Sequence, residues 1–428
     1  MRQIAKKSYT LTPNFKRKLL EWASQFEEVA WLDSNGHQEK YSRFEAILAV
    51  DAFTAIRTDY FGAFDRLDEY QRITKDWLFG YLSYDLKNDV EALRSENYDG
   101  LEFPDLYFFQ PKKVFLFTEA TVEIHYLNMV ADEMESDWEA IQHTAFSENE
   151  HSMPVSIKLR TSRENYEAKV TTMLDHIMRG DIYEANFCQE FYAENTTIAP
   201  LTVYDRLNDI SSPPFASYMK FGAHHILSAS PERYLQKHGS SVISQPIKGT
   251  AKRSTENKED QTIKESLAKD PKERSENIMI TDLVRNDLSR LAKKGSVRVE
   301  ELCKVYTFNQ VHQMISTIGC EIEEGISPVE IVRRTYPMGS MTGAPKISAM
   351  KIIETLEDAK RGVYSGAVGY FMPDGDFDFN VVIRSILYHE SKKYISFSTG
   401  GAITAKSDVE TEYEECLLKA KAMRSVLE

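Results

Sequence analysis

Along this chain the spacing of apolar residues changes several times, and each change marks an element. Tyr166, Val170, Met173, Leu174 and Ile177 recur every three or four residues, which predicts a helix with one buried stripe. Thr161 with Glu164 reads as a capping box at its start, and Gly180 as its stop. Asp270, Pro271 and Glu273 predict a second helix running to about Arg290, with Glu276, Met279, Ile280 and Leu283 on one face. A last helix is predicted from Asp408, with Tyr413, Cys416, Leu417 and Ala420 buried and Glu412, Glu415 and Lys419 along an adjoining face. Elsewhere the runs are short and rich in aromatic and β-branched residues: 77–84, 113–117, 241–245 and 394–398 read as strands. Two more, 366–371 and 377–386, flank Pro373-Asp-Gly-Asp376, a hairpin signal. The acidic interval 133–156 reads as an exposed connection. Hairpins mixed with separate long helices predict an α+β fold with antiparallel sheets. No G-x-G-x-x-G follows a strand, which argues against a doubly wound parallel sheet.

Length and charge narrow the picture. At 428 residues, 42% of them hydrophobic, the chain can bury a large core as two or three domains or one large double-layered unit. A net charge of −14 argues against nucleic acid or an anionic membrane as the main partner. A small anion can still bind through local cations, backbone amides or a metal. Cys188, Cys303, Cys320 and Cys416 form no C-x-x-C pair and have no zinc-ligand spacing. They read as reduced thiols. With no signal-peptide core and no membrane-length run, the expectation is a soluble cytoplasmic protein.

Candidate chemistry starts at Lys248 in Pro246-Ile-Lys-Gly-Thr250. Held between proline and glycine just past a strand, this lysine is a positioned nucleophile or a positioned cation, although an isolated turn lysine is commonly just solvated. Glu276 stands on an apolar helix face, where a carboxylate needs a partner or a metal. Glu412, Glu415 and Lys419 are either an exposed i,i+4 pair or hard oxygen ligands with a cation beside them. Gly339-Ser-Met-Thr-Gly-Ala-Pro-Lys346 is a glycine-rich loop entering a helix with Pro345 in its first turn. Its amides and the Thr342 hydroxyl suit an anionic oxygen, but it is not a P-loop. Ser398-Thr-Gly-Gly401 reads as a second glycine turn, Glu232 follows a strand, and His312 lies in an apolar segment.

Together and in this order, Ser230-Pro-Glu-Arg233, Pro246-Ile-Lys-Gly-Thr250, Glu276-Asn-Ile-Met-Ile-Thr-Asp-Leu-Val-Arg-Asn-Asp287, Gly339–Lys346 and Glu410-Thr-Glu-Tyr-Glu-Glu415 resemble the chorismate-utilising enzymes. The likeness is dense from Thr161 onward and faint over the first seventy or so residues. It implies one chorismate-binding unit over 1–428, of two packed antiparallel sheets with helices outside. The motifs lie in a core of 157–428, and 1–132 is less typical. A lysine at position 248 is similar to the branch that aminates chorismate to 4-amino-4-deoxychorismate, on the way to p-aminobenzoate and folate. Anthranilate, isochorismate and salicylate synthases typically carry a small residue there. Relatives that add water carry a lysine where this chain has Glu184, so the base that activates water is missing.

The roles that follow are those the resemblance implies. Glu276 and Glu415, with Glu412 nearby, hold Mg²⁺ against the ring carboxylate. Arg384, Lys419 and the amides of Gly400 and Gly401 bind carboxylate oxygens, with Thr342 as a hydroxyl contact and Gly249 and Thr250 beside the substrate. Glu232 protonates the departing C4 oxygen, neutral Lys248 attacks C2, and His312 orients the substrate. Ammonia then displaces the lysine. No cysteine sits in a G-x-C-x-G elbow, so a separate glutamine amidotransferase subunit (component II) is expected to supply it. The competing expectations are an anthranilate synthase and a silent regulatory paralogue. Ala402 stands where relatives often keep glycine. The stretch 30–34 is similar to a tryptophan-binding element of some relatives, and no tryptophan site is assigned from it.

Overall fold

One long strand, Leu106–Thr118, joins the two halves of the molecule in the computed structural model, which describes residues 1–37, 40–145, 154–308 and 311–428. It pairs along its length with Ala46–Thr58, while its first residues also pair with Leu78–Leu82 and its last with Thr121–Leu127. The register slips between Ala52 and Thr54, where Asp51 has φ 62° and Pro111 stands opposite Ala52. Proline cannot donate to the ladder, and the bulge bends both strands so that each serves two sheets. Polar groups at the bend find other partners: Arg2 Nη2 donates to Pro111 O at 2.5 Å, and Lys112 Nζ to Asp51 Oδ1 at 2.9 Å.

From that bend one sheet runs through Glu28–Asp33, Phe215–Phe221, His224–Ser230, Ser385–His389 and Tyr394–Thr404 to Glu184–Ala193. The other runs through Leu78–Leu82, Ala367–Phe371, Phe377–Val381, Arg233–His238 and Ser241–Gln245 to Val311–Glu321. Among the described residues every strand pairs antiparallel, and the one parallel contact is an isolated Tyr98–Ala359 bridge. In both sheets the strands from 1–132 lie together at the end nearest the bend, and the strands from 157–428 continue each sheet from there. Leu48 and Val50 join an apolar cluster with Phe15, Tyr166 and Tyr413 of the outer helices. Their neighbours Ile47 and Ala49 join Phe79, Phe371 and Phe379 of the second sheet. Burial on both faces replaces strict alternation with continuous apolar runs. The fold is α+β, two packed antiparallel sheets with helices outside. No described helix is long and apolar enough to cross a membrane.

Several sequence expectations shift. The helix predicted from Thr161 is Arg163–Arg179, capped by Ser162 Oγ, which accepts from Asn165 N; Thr161 instead donates to Asp358 Oδ2 at 2.7 Å. Gly180 ends it at φ 84°. Pro271–Ser289 starts as expected, with Asp270 Oδ1 accepting from Lys272 N and Glu273 N. Its buried side, however, is Asn277, Ile280, Thr281, Val284, Asp287 and Leu288, leaving Glu276, Met279 and Leu283 half-buried at the border. The interval 133–156 contains a helix, Met134–His143, which buries Met134, Trp138 and Ile141; 146–153 lies outside the described residues. The stretch 377–386 is two strands, because the chain leaves the second sheet after Val381 and enters the first at Ser385, turning at Arg384 with φ 50°. Ser398–Gly401 is no turn: it continues the strand Tyr394–Thr404, pairing Gly400 with Cys188 and Gly401 with Phe187. Pro345 caps the helix Lys346–Leu356 from outside.

Candidate active site

The strand carrying Lys248 resumes immediately after Pro246, as Ile247–Lys252, so the lysine is not in a free turn. Ile247 pairs with Ile315 and Thr250 with Gln313, which leaves one extra residue on the lysine side. Such a bulge re-aims a side chain. Gly249 at φ 94° makes it, and a side chain there would meet Glu273 Oε2 3.1 Å from its Cβ. Asn277, fully buried, fixes the backbone: its Nδ2 donates to Lys248 O at 3.3 Å and Met314 O at 3.1 Å, while Ser316 Oγ donates to its Oδ1 at 2.5 Å. Asn277 adjoins Glu276, so one helix turn sets both the lysine's mount and a carboxylate facing it.

The charge of Lys248 acts on four carboxyls from four separate elements: Glu184, Glu232, Glu276 and Glu415. Glu232 follows His224–Ser230, is 5% exposed, and accepts from Ser340 Oγ at 2.5 Å. Burial pushes it up to about 7, against the weaker pull of Ser340 and Lys248. It lines a small pocket with Pro246, Gly339 and Ser340. Ser340 is itself placed by Asn186, whose Nδ2 donates to Ser340 O at 3.2 Å. Burial also lifts Glu276 to about 7, with Glu273 and Glu184 adding repulsion. Glu412, 4% exposed, is raised by burial and accepts from Ser407 Oγ at 2.7 Å. Burial would raise Glu415 as well, but Lys419 Nζ at 2.7 Å, with Lys272 and Lys248, outweighs it and holds the carboxyl low.

The remaining predicted residues divide. Lys419 Nζ also donates to Gly400 O at 2.9 Å, and Gly401 faces Glu412, Lys419 and Glu415, where a side chain would press on Glu412 Oε2, 3.0 Å from its Cβ. Arg384 has no carboxylate partner among the described residues, and burial lowers its pKa; such a guanidinium suits an anionic oxygen. Thr342 is buried and donates its hydroxyl to Gly339 O at 3.1 Å. Thr250 is exposed. His312 is buried, with Nε2 2.9 Å from Asp260 Oδ1 and Nδ1 3.1 Å from Thr307 Oγ1. Sequence reasoning missed Asn277, Ser340, Glu273 and Lys272. Lys272 Nζ lies 3.9 Å from Glu276 Oε1 and 4.0 Å from Glu412 Oε1, tying the two carboxylate-bearing helices. Only the crowding of charge at 270–276 hinted at the last two.

For a divalent ion the donors are the right kind. No three His, Cys, Asp or Glu side chains among the described residues form a ready metal cage. Mg²⁺ needs only one or two protein carboxylates, however, with water and substrate completing its shell. Glu276 Oε1 is buried with no hydrogen bond among the described residues, in a group with excess negative charge. Glu276 and Glu415 therefore suit a hard cation in chemistry.

Comparison with known proteins agrees with this architecture. The model of the chorismate binding enzyme family matches residues 27–425. Aminodeoxychorismate synthase component 1 of Bacillus subtilis is 30% identical over 361 residues, 82% of this chain and 76% of that protein. Aminodeoxychorismate synthase of Streptomyces griseus is 41% identical over 275 residues, 64% of this chain, and the match spans only 37% of that longer protein. The crystal structure of anthranilate synthase component I from Streptococcus pneumoniae superposes with a TM-score of 0.79 at 26% identity, over 91% of this chain and 93% of that one. This chain belongs to the chorismate binding enzyme family.

Proposed function

We propose that this chain aminates chorismate at C4, giving 4-amino-4-deoxychorismate, with ammonia supplied by a separate glutaminase subunit. What supports the reading is that the charge of Lys248 reaches Glu184, Glu232, Glu276 and Glu415 from a lysine whose backbone is fixed by Asn277. One amine, one acid held protonated to about pH 7 and a set of hard oxygens are what displacement of a poor leaving group requires. Glu232 protonates the C4 oxygen, which leaves as water. The ring double bond shifts as neutral Lys248 Nζ attacks C2, leaving a secondary ammonium adduct and an ionised Glu232. Ammonia attacks C4, the double bond returns, and the C2–Nζ bond breaks to release the free amine. Arg384 and Lys419 would bind carboxylate oxygens. Glu276 and Glu415, with Glu412 and Glu273 beside them, would hold Mg²⁺, which when bound polarises the substrate and offsets its carboxylate charge.

The test is incubation with chorismate, Mg²⁺ and ammonium, with and without an added lyase, followed by chromatography. The expected product becomes 4-aminobenzoate only with the lyase, and its yield falls when EDTA replaces Mg²⁺. Likeness to anthranilate synthase component I favours a second reading, in which pyruvate is also eliminated. Fluorescent anthranilate formed without lyase would replace the first reading by the second, and unchanged chorismate would remove both.

A further inference from the structure

Glu184 has no role in the scheme above, yet it is a carboxyl within reach of the Lys248 charge and only 2% exposed. Its Oε2 is buried and makes no hydrogen bond among the described residues. An ionised oxygen so placed is costly until a donor reaches it. The position is firmly built. Glu184 pairs with Ala344 on one edge of its strand and with Thr404 on the other. Two residues on, Asn186 holds Ser340, which in turn holds Glu232. The unpartnered oxygen and the buried acid are thus mounted on one frame, and both feel the lysine's charge. Burial raises the Glu184 carboxyl and Lys248 opposes it, which makes it a better proton acceptor than a surface carboxylate.

A carboxylate here repels the two carboxylates of chorismate, so the reactant it can receive is the other one, a small neutral molecule rich in N–H donors. We infer that Glu184 receives the incoming ammonia, accepting an N–H hydrogen bond at Oε2, aiming the nitrogen lone pair at C4 and taking a proton as the C4–N bond forms. This rests on the amination reading. The lone pair makes the C4–N bond, the double bond shifts, and the C2–Nζ pair returns to Lys248 as a neutral amine. One proton passes from the new C4 ammonium to Glu184 and on to solvent. Glu232, left ionised when water departed, takes one up, so the cycle closes.

The experiment compares wild type, Glu184→Gln and Glu184→Asp by intact mass and by product chromatography. With chorismate and no ammonium, Glu184→Gln forms the Lys248 adduct, chorismate less water, as fast as wild type, which also shows that its site is folded. On adding ammonium it discharges the adduct about 100-fold more slowly, and the KM for chorismate is unchanged. Glu184→Asp recovers part of the discharge rate. Discharge at the wild-type rate in Glu184→Gln, or a defect confined to adduct formation, overturns the inference while wild-type amination still stands. Absence of amination in wild type overturns both.

Discussion

Two groups of buried charge flank the strand Glu184–Ala193, and they are completed to different degrees. In one, Arg361 donates to Glu357 Oε2 at 2.8 Å and Oε1 at 2.6 Å, to Met341 O at 2.6 Å and to Asn186 O at 2.7 Å. Glu357 Oε1 also accepts from Cys188 N at 2.9 Å. This pair stitches the loop at Met341 to the strand. In the other, six carboxyls (Glu184, Glu232, Glu273, Glu276, Glu412 and Glu415) share their surroundings with three lysines (Lys248, Lys272 and Lys419). Glu184 Oε2 and Glu276 Oε1 there lack a hydrogen-bond partner among the described residues. Buried polar groups are normally satisfied, so the saturated pair is scaffold and the unsaturated group is capacity held for ligands.

The comparison breaks most visibly at Lys248. Lys248→Ala should lower turnover with ammonium by a factor on the order of 10⁴ or more while changing stability by less than about 1 kcal/mol. Steady-state kinetics and urea unfolding of one preparation check both halves. Wild-type turnover in that variant would remove the reactive role from the unsaturated group. Arg361→Met should show the converse. Stranding the buried Glu357 costs about 3–5 kcal/mol, read as a lower urea midpoint, and the double variant with Glu357→Met should regain most of it. A single-variant loss below about 0.5 kcal/mol, the size of a surface change, would erase the distinction.

How much of this was legible depended on whether a signal was local. Asp270 and Gly180 act through bonds a few residues away, and the sequence places both helix ends well. The stripe on Pro271–Ser289 is rotated because Asn277, polar in sequence, is buried by bonds to Lys248 O and Met314 O, partners a sequence pattern does not reveal. Gly400 and Gly401 resemble a turn until the neighbouring strand is seen to run beside them. The lysine and the carboxylates of the site were legible as motifs, since charged residues on apolar faces stand out. Ser340, Arg361 and Glu357 were not, because their importance lies in which backbone groups they meet.

The smallest of the expected effects is also the sharpest on sign. The only hydrogen bond to the Glu232 carboxyl among the described residues comes from Ser340, and burial lifts that carboxyl to about 7. A raised acid pKa means that the native state favours the protonated form, so ionisation works against the fold. The penalty is absent below about pH 4.5, grows as pH rises, and is complete above about pH 7. Wild type should lose about 1–3 kcal/mol from this group between about pH 5 and pH 8, and Glu232→Gln, neutral throughout, should not. Urea unfolding at both values should therefore find the two proteins equal at the lower pH and the variant more stable at the higher. The same variant should slow amination about 100-fold and remove the decline in activity above about pH 7. A variant that gained nothing at the higher pH would mean that Glu232 is as well satisfied as Glu357, and the contrast between scaffold and held capacity would fail at the residue where it predicts a gain in stability at the expense of function.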